Sequence, residues 1–179
     1  MRRQPIRALL CALFAVFAFA LSASAQAATG NRATLDGTYT LNRAASDNIN
    51  RAIDGAVAKM NFVTRPIARG RLRRTNQPYQ RLVIAHTQQQ VSVTTDSRAA
   101  IRTPANGTPI KWTREDGEVF DVSTEWENGT LEQTFKAEDG SRTNAFALSP
   151  DGRTLTMNVT ITSPRLAAPL RYKMVFNLA

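Results

Sequence analysis

The sequence predicts a mainly β chain, an antiparallel up-and-down barrel of about 8–10 strands with one amphipathic helix after the first strand. Two observations carry this expectation. The first is a ladder of turn dipeptides, Asn106-Gly107, Asp116-Gly117, Asn128-Gly129, Asp139-Gly140 and Asp151-Gly152, spaced 10, 12, 11 and 12 residues apart. Asn or Asp before Gly favours a tight hairpin because both can take positive φ at small cost. The second is alternation of apolar and polar side chains between those turns, which marks a sheet with one buried face.

Taken from the start, residues 1–27 have the layout of a signal peptide: Arg2, Arg3 and Arg7, an apolar run from Ala8 to Leu21, then small residues ending in an Ala25-Gln26-Ala27 cleavage site. The apolar run is shorter than the roughly 20 residues that span a bilayer core, so cleavage near Ala27 is expected rather than anchoring. The protein is then periplasmic or secreted, and residues 28–179 form a single domain with no transmembrane segment. The lone cysteine, Cys11, lies in the leader, so no disulfide is expected. Cleavage would remove three of the 23 Lys and Arg and none of the 14 Asp and Glu, lowering the formal charge from +9 to +6.

The first strand is GTYTL, from Gly37. From Ser46 to Val63 the apolar residues Ile49, Ile53, Val57, Met60 and Val63 recur every three or four positions, the stripe of one helix. Ser46 is its expected cap, Asp47 suits the dipole at its first turn, and Pro66 its expected stop. Short strands rich in β-branched or aromatic residues follow at RLVIAH, QQVSVTT, AAIRT and PIKWT. GEVFDVSTEWE places Phe120, Val122 and Trp126 on one face, and TLEQTFKA places Leu131, Gln133, Phe135 and Ala137 on one face. Leu155, Met157, Val159 and Ile161 line the next strand, and Leu170, Tyr172, Met174, Phe176 and Leu178 the last. The total is about nine.

The opening Gly37 to Asn42 with Ser46-Asp47, the Trp126 to Leu131 turn (Trp-x-x-Gly-x-Leu) and Leu148 to Thr156 (Leu-Ser-Pro-Asp-Gly-x-Thr-Leu-Thr) resemble small bacterial exported lipocalin-like proteins. The resemblance spans about Leu35 to Phe176 and implies a small antiparallel barrel with an apolar interior. Its motifs are turns and strand starts, so it identifies a fold type and no active site.

Thr64 to Asn76 carries Arg65, Arg69, Arg71, Arg73 and Arg74 with no acid, whereas Arg114 to Glu127 carries six acids and one arginine. Guanidinium forks match phosphate, so Arg69, Arg71, Arg73 and Arg74 are candidate contacts for an anionic envelope component. The competing expectation is that the basic and acidic segments lie side by side and neutralise each other. Nucleic acid is not expected as a partner of an exported protein.

No catalytic constellation is present. His86 is the sole histidine, it falls on the face of Leu82 and Ile84, and no G-x-S-x-G occurs, so a hydrolytic triad is not expected. With one histidine and no cysteine beyond the leader, neither a metal site nor a cofactor is expected. Glu125 and Glu127 would sit roughly 7 Å apart, yet on the face opposite Phe120 and Trp126. The chain therefore reads as a non-enzyme.

Trp112, Phe120, Trp126, Phe135 and Tyr172 fall at inward-reading positions and are the candidate contacts for a ligand in the barrel. Two readings follow. In one, a periplasmic lipocalin-like protein holds a small apolar or amphipathic ligand. In the other, the same side chains fill the barrel and the basic stretch makes the protein an envelope interaction or structural domain for an anionic partner.

Overall fold

In a computed structural model describing residues 34–179, ten strands form one antiparallel sheet curled into a nearly closed barrel. The expected leader and its cleavage near Ala27 lie outside the described residues. The chain runs β1 (Gly37–Leu41), α1 (Ile49–Val57), α2 (Thr64–Thr75), β2 (Arg81–His86), β3 (Gln90–Thr95), β4 (Ile101–Pro104), β5 (Ile110–Thr113), β6 (Val119–Glu127), β7 (Thr130–Ala137), β8 (Gly140–Leu148), β9 (Thr154–Thr162) and β10 (Leu170–Leu178). Neighbours in the sheet are neighbours in sequence, except that β1 pairs with both β2 and β10. No ladder joins β4 to β5, so Asn106-Gly107, expected to turn a tight hairpin, instead spans the open seam between the two edge strands. The gap is crossed by the Thr103 hydroxyl donating to Thr124 Oγ1 at 2.7 Å and by the Gly107 N–H donating to the Thr124 carbonyl at 3.0 Å.

Nine of these strands match the expected runs; β8 is the addition. Its inward residues are Arg142, Asn144, Phe146 and Leu148, so two polar side chains occupy what alternation would fill with apolar ones. Pairing with β7 and β9 over its whole length fixes it as a strand regardless.

The helical segment also differs from expectation: there are two helices, not one. Asn48, not Ser46, caps α1, its side chain accepting the Arg51 N–H at 3.0 Å. Ser46 and Asp47 instead bind β10: Ser46 Oγ accepts the Val175 N–H at 2.9 Å, and Asp47 Oδ2 accepts the Lys173 N–H at 2.8 Å. Ile53, Ala56 and Val57 are buried and Met60 is half-buried, whereas Phe62 and Val63 are exposed, so the stripe loses its cover before Val63. Asn61 Oδ1 accepts the N–H groups of Val63 and Thr64, which starts the second helix. Pro66 lies in the first turn of α2 and does not stop a helix, because its missing N–H is one that has no intrahelical partner there. The basic stretch is thus itself a helix.

The barrel interior holds one buried apolar core. Tyr39, Leu82, Ile84, Leu131, Phe146, Leu155, Met157 and Phe176 are buried there, each side chain of this kind contributing about 1.5–3 kcal/mol of burial. The α1 stripe packs against the same core through Ile53 and Ala56.

Candidate functional site

Five polar residues are buried among the described ones: Thr103, Thr124, Gln133 and Asn144 on the strands, and Asn76 at the end of α2, which joins them through Arg142. Strand register gathers three of them into a belt: Thr124 lies opposite Gln133 and Gln133 opposite Asn144, so three adjacent strands present polar side chains at one level of the interior. Thr103 joins from β4 through its bond to Thr124. Buried polar groups cost free energy unless bonded, so an interior belt of them calls for a partner or a purpose.

Arg142 lies one inward step from Asn144 on β8. Its Nε donates to Asn144 Oδ1 at 2.8 Å and its Nη1 to Asn76 Oδ1 at 3.1 Å, while the guanidinium carbon lies 5.9 Å from the centre of the Tyr79 ring. Asn76 Oδ1 also accepts the Tyr172 hydroxyl at 2.9 Å, and Asn76 Nδ2 donates to the Leu72 carbonyl at 2.9 Å at the end of α2. Among the described residues no carboxylate pairs with Arg142. Burial works against its charge, but Tyr79 and Tyr172 more than offset that and hold its pKa above the ordinary arginine value. Burial likewise pushes the Tyr172 hydroxyl up, against the opposing Arg142 charge. A guanidinium keeps its charge throughout the ordinary pH range, so Arg142 is a permanent, partly buried cation beside a neutral phenol. Gln133, almost wholly buried, completes the set with an Nε2 that has no hydrogen-bond partner.

The sequence-predicted aromatics divide between two ends. Trp112, Phe120 and Phe135 meet in one cluster, with ring centres 5.7–6.2 Å apart, and all three are partly exposed. Phe135 lies opposite Arg142 in the β7–β8 register, so the cluster borders the cation. Arg114 stacks over Phe120 at 5.2 Å. Tyr172 joins the polar residues through Asn76. Trp126 lies six residues along β6 from Phe120, roughly 20 Å away, and packs edge-on against His86 with centroids 6.1 Å apart. His86 itself is held by Asp36, which accepts both its backbone N–H and a bond from Nδ1 at 2.9 Å. It has the partly buried, hydrogen-bonded setting expected of it.

The expected mutual neutralisation of basic and acidic segments is mostly not found. Arg69 and Arg73 share Asp54 of α1, at 2.9 and 3.3 Å, and only Arg71 reaches the acidic segment, 3.5 Å from Glu118. The acidic residues have closer partners: Arg114 holds Asp116 and Glu118 at 2.7 and 2.5 Å, and Lys111 holds Asp121 at 2.8 Å. A hairpin neighbour costs less chain ordering than a helix about forty residues away in sequence, so local pairing wins. Arg74 makes no ion pair among the described residues.

The residues that sequence reasoning missed are Arg142, Asn144 and Asn76. Arg142 and Asn144 fall on the strand that polar inward positions concealed. Gln133 was placed on the inward face but gave no signal of its own. Among the described residues no group of three or more His, Cys, Asp or Glu could hold a metal ion, and no helix is long and apolar enough to cross a membrane.

No family model matches the sequence, and no curated protein does. Solved structures do match the fold. Human cRBP IV superposes with a TM-score of 0.51 at 19% identity, covering 82% of this chain and 98% of its own. A protein described as the REP1-NXSQ fatty acid transporter gives 0.52 at 12% identity, over 81% and 96%. A secretory abundant heat soluble protein from Ramazzottius varieornatus gives 0.57 at 6%, over 80% and 94%. At these identities the likeness is one of fold, and that fold is the lipocalin-like barrel.

Proposed function

We propose that this protein acts after export, in the periplasm or outside the cell, as a non-enzymatic carrier of one small amphipathic molecule with an anionic head. The head sits at Arg142 and Gln133, and the apolar part lies against Trp112, Phe120 and Phe135. A long-chain carboxylate is the simplest such molecule. The observation that carries this reading is the interior guanidinium without a carboxylate, next to a buried Gln133 amide with an unused donor. A charge-assisted bond to a carboxylate is about twice as strong as a neutral one, and a planar fork favours two oxygens at once. A fold shared with a protein described as a fatty acid transporter is consistent with it.

The test compares matched ligands: a long-chain fatty acid, its methyl ester and the corresponding alcohol, followed by tryptophan fluorescence and by melting temperature. The acid should bind best, and Arg142→Gln should erase its advantage over the ester while leaving weak binding of all three. If none of the three shifts either signal, or if Arg142→Gln leaves the ranking unchanged, the reading is wrong.

A further inference from the structure

Three of the five large hydrophobic side chains exposed among the described residues fall within six positions: Phe62 at 86%, Val63 at 58% and Ile67 at 71%. Phe62 and Val63 lead into the helix α2 and Ile67 lies in its first turns, and the helix buries none of its own residues. Helical spacing puts Val63, Ile67, Arg71 and Arg74 on one face, each three or four residues from the next. Leu72 and Ala68 lie on the other side, where Leu72 packs against the core. The outward face is therefore apolar at its start and basic at its end. Nothing in the fold requires Phe62 or Ile67 to be apolar there.

The charge around this face is one-sided. Residues 48–76 contain seven Lys and Arg against Asp54 alone, a net charge of +6. Asp54 is already shared by Arg69 and Arg73. Glu118 is held at 2.5 Å by Arg114, leaving Arg71 at 3.5 Å, and Arg74 without an ion pair among the described residues.

We propose that this face docks on an anionic lipid bilayer, with Phe62, Val63 and Ile67 entering the boundary between headgroups and acyl chains and Arg71 and Arg74 binding lipid phosphates. An amphipathic surface of this kind binds in proportion to its buried apolar area and its attraction to anionic lipid. Nucleic acid would satisfy the arginines but would leave exposed apolar side chains without a gain, so the bilayer matches both halves of the face. Each arginine near such a surface strengthens binding about fivefold.

The experiment is co-sedimentation of the full chain with vesicles of phosphatidylcholine, with and without phosphatidylglycerol. Parent and variants carry the same residues 1–33, so whatever those contribute cancels in the comparison. The double variant Arg71→Gln/Arg74→Gln should lose roughly thirtyfold in partitioning onto the anionic vesicles. Phe62→Ser/Ile67→Ser should lose at least about tenfold there, and what remains should be more salt-sensitive than in the parent. Circular dichroism checks that each variant keeps its fold, as expected for exposed positions. If either variant partitions like the parent, the proposal fails. It fails equally if duplex DNA binds the parent through Arg71 and Arg74 with no effect of Phe62→Ser/Ile67→Ser, an outcome that would point to nucleic acid.

Discussion

The Tyr172 hydroxyl of β10 donates to Asn76 Oδ1 at the end of α2, at 2.9 Å and across 96 positions of sequence. That oxygen also accepts from Arg142, so one asparagine side chain ties the helix end, the last strand and the interior cation together. Asn76 is 4% exposed, and its amide nitrogen closes the α2 terminus on the Leu72 carbonyl.

Replacing Asn76 with alanine should therefore leave two buried donors without their acceptor. Each such loss costs about 1–3 kcal/mol, so Asn76→Ala should destabilise by roughly 2–6 kcal/mol, and Tyr172→Phe by about 1 kcal/mol. Urea unfolding of the three proteins measures this. The Asn76 variant should also show weaker discrimination between acid and ester, because its loss frees the Arg142 fork to turn.

Gln133→Leu should move stability and binding in opposite directions. The wild-type Nε2 is buried without a partner, so exchanging the amide for an apolar group of similar size should raise stability by about 1 kcal/mol. If Gln133 holds a ligand head, the same change should weaken carboxylate binding. Denaturant midpoints and fluorescence titrations, run on one preparation, give both numbers.

Two glycines should respond with opposite signs to the same substitution. Gly140 has φ of 150°, and a Cβ there would collide with the Thr162 carbonyl oxygen, so Gly140→Ala should cost about 2–3 kcal/mol. Gly70 lies inside α2, where a Cβ meets only Arg74 Nη1 at 3.7 Å. Gly70→Ala should stabilise by about 0.4–1 kcal/mol by restricting the unfolded chain. Thermal melts suffice for both.

The carboxylates of the outer face give two pH signatures. The Arg114 guanidinium, by hydrogen bond and charge, lowers the Asp116 pKa from 3.8 to about 2. Its stabilising contribution is present above pH 3.8 and disappears as pH falls through 2. NMR titration should find the low value, and Arg114→Gln should return it toward 3.8. Glu132 behaves in the opposite sense: burial first, then Glu127 and Glu125, raise its pKa above 4.5. It favours the fold while protonated, and that contribution is lost as pH rises through the raised value. Glu125 and Glu132 are direct cross-strand partners, so Glu132→Gln should gain a few tenths of a kcal/mol at neutral pH and nothing well below pH 4.5.

The barrel itself was legible because its rules are local. At Asn128-Gly129 both residues take positive φ, 48° and 81°, as a tight hairpin requires, and the β7 strand begins and ends where alternation places it. Two helices replaced one because helical periodicity continued to Val63 whether or not a core lay beneath it. Only docking decided that Val57 is buried and Val63 is not. The site was illegible for the reason that makes it a site. Arg142 and Asn144 break the apolar alternation that reveals strands, and their partners Asn76 and Tyr172 come from a helix end and a strand far along the chain.

By itself, then, the sequence determined the β architecture, four of its five expected hairpins and the inward face of nearly every strand, since these depend on residues within one strand or turn. Tertiary structure decided where the arginines go. It spent Arg69 and Arg73 on a nearby aspartate, left Arg74 on an open helical face, and put Arg142 inside the barrel without a counter-charge, because pairing across a curled sheet depends on distances that no local pattern encodes.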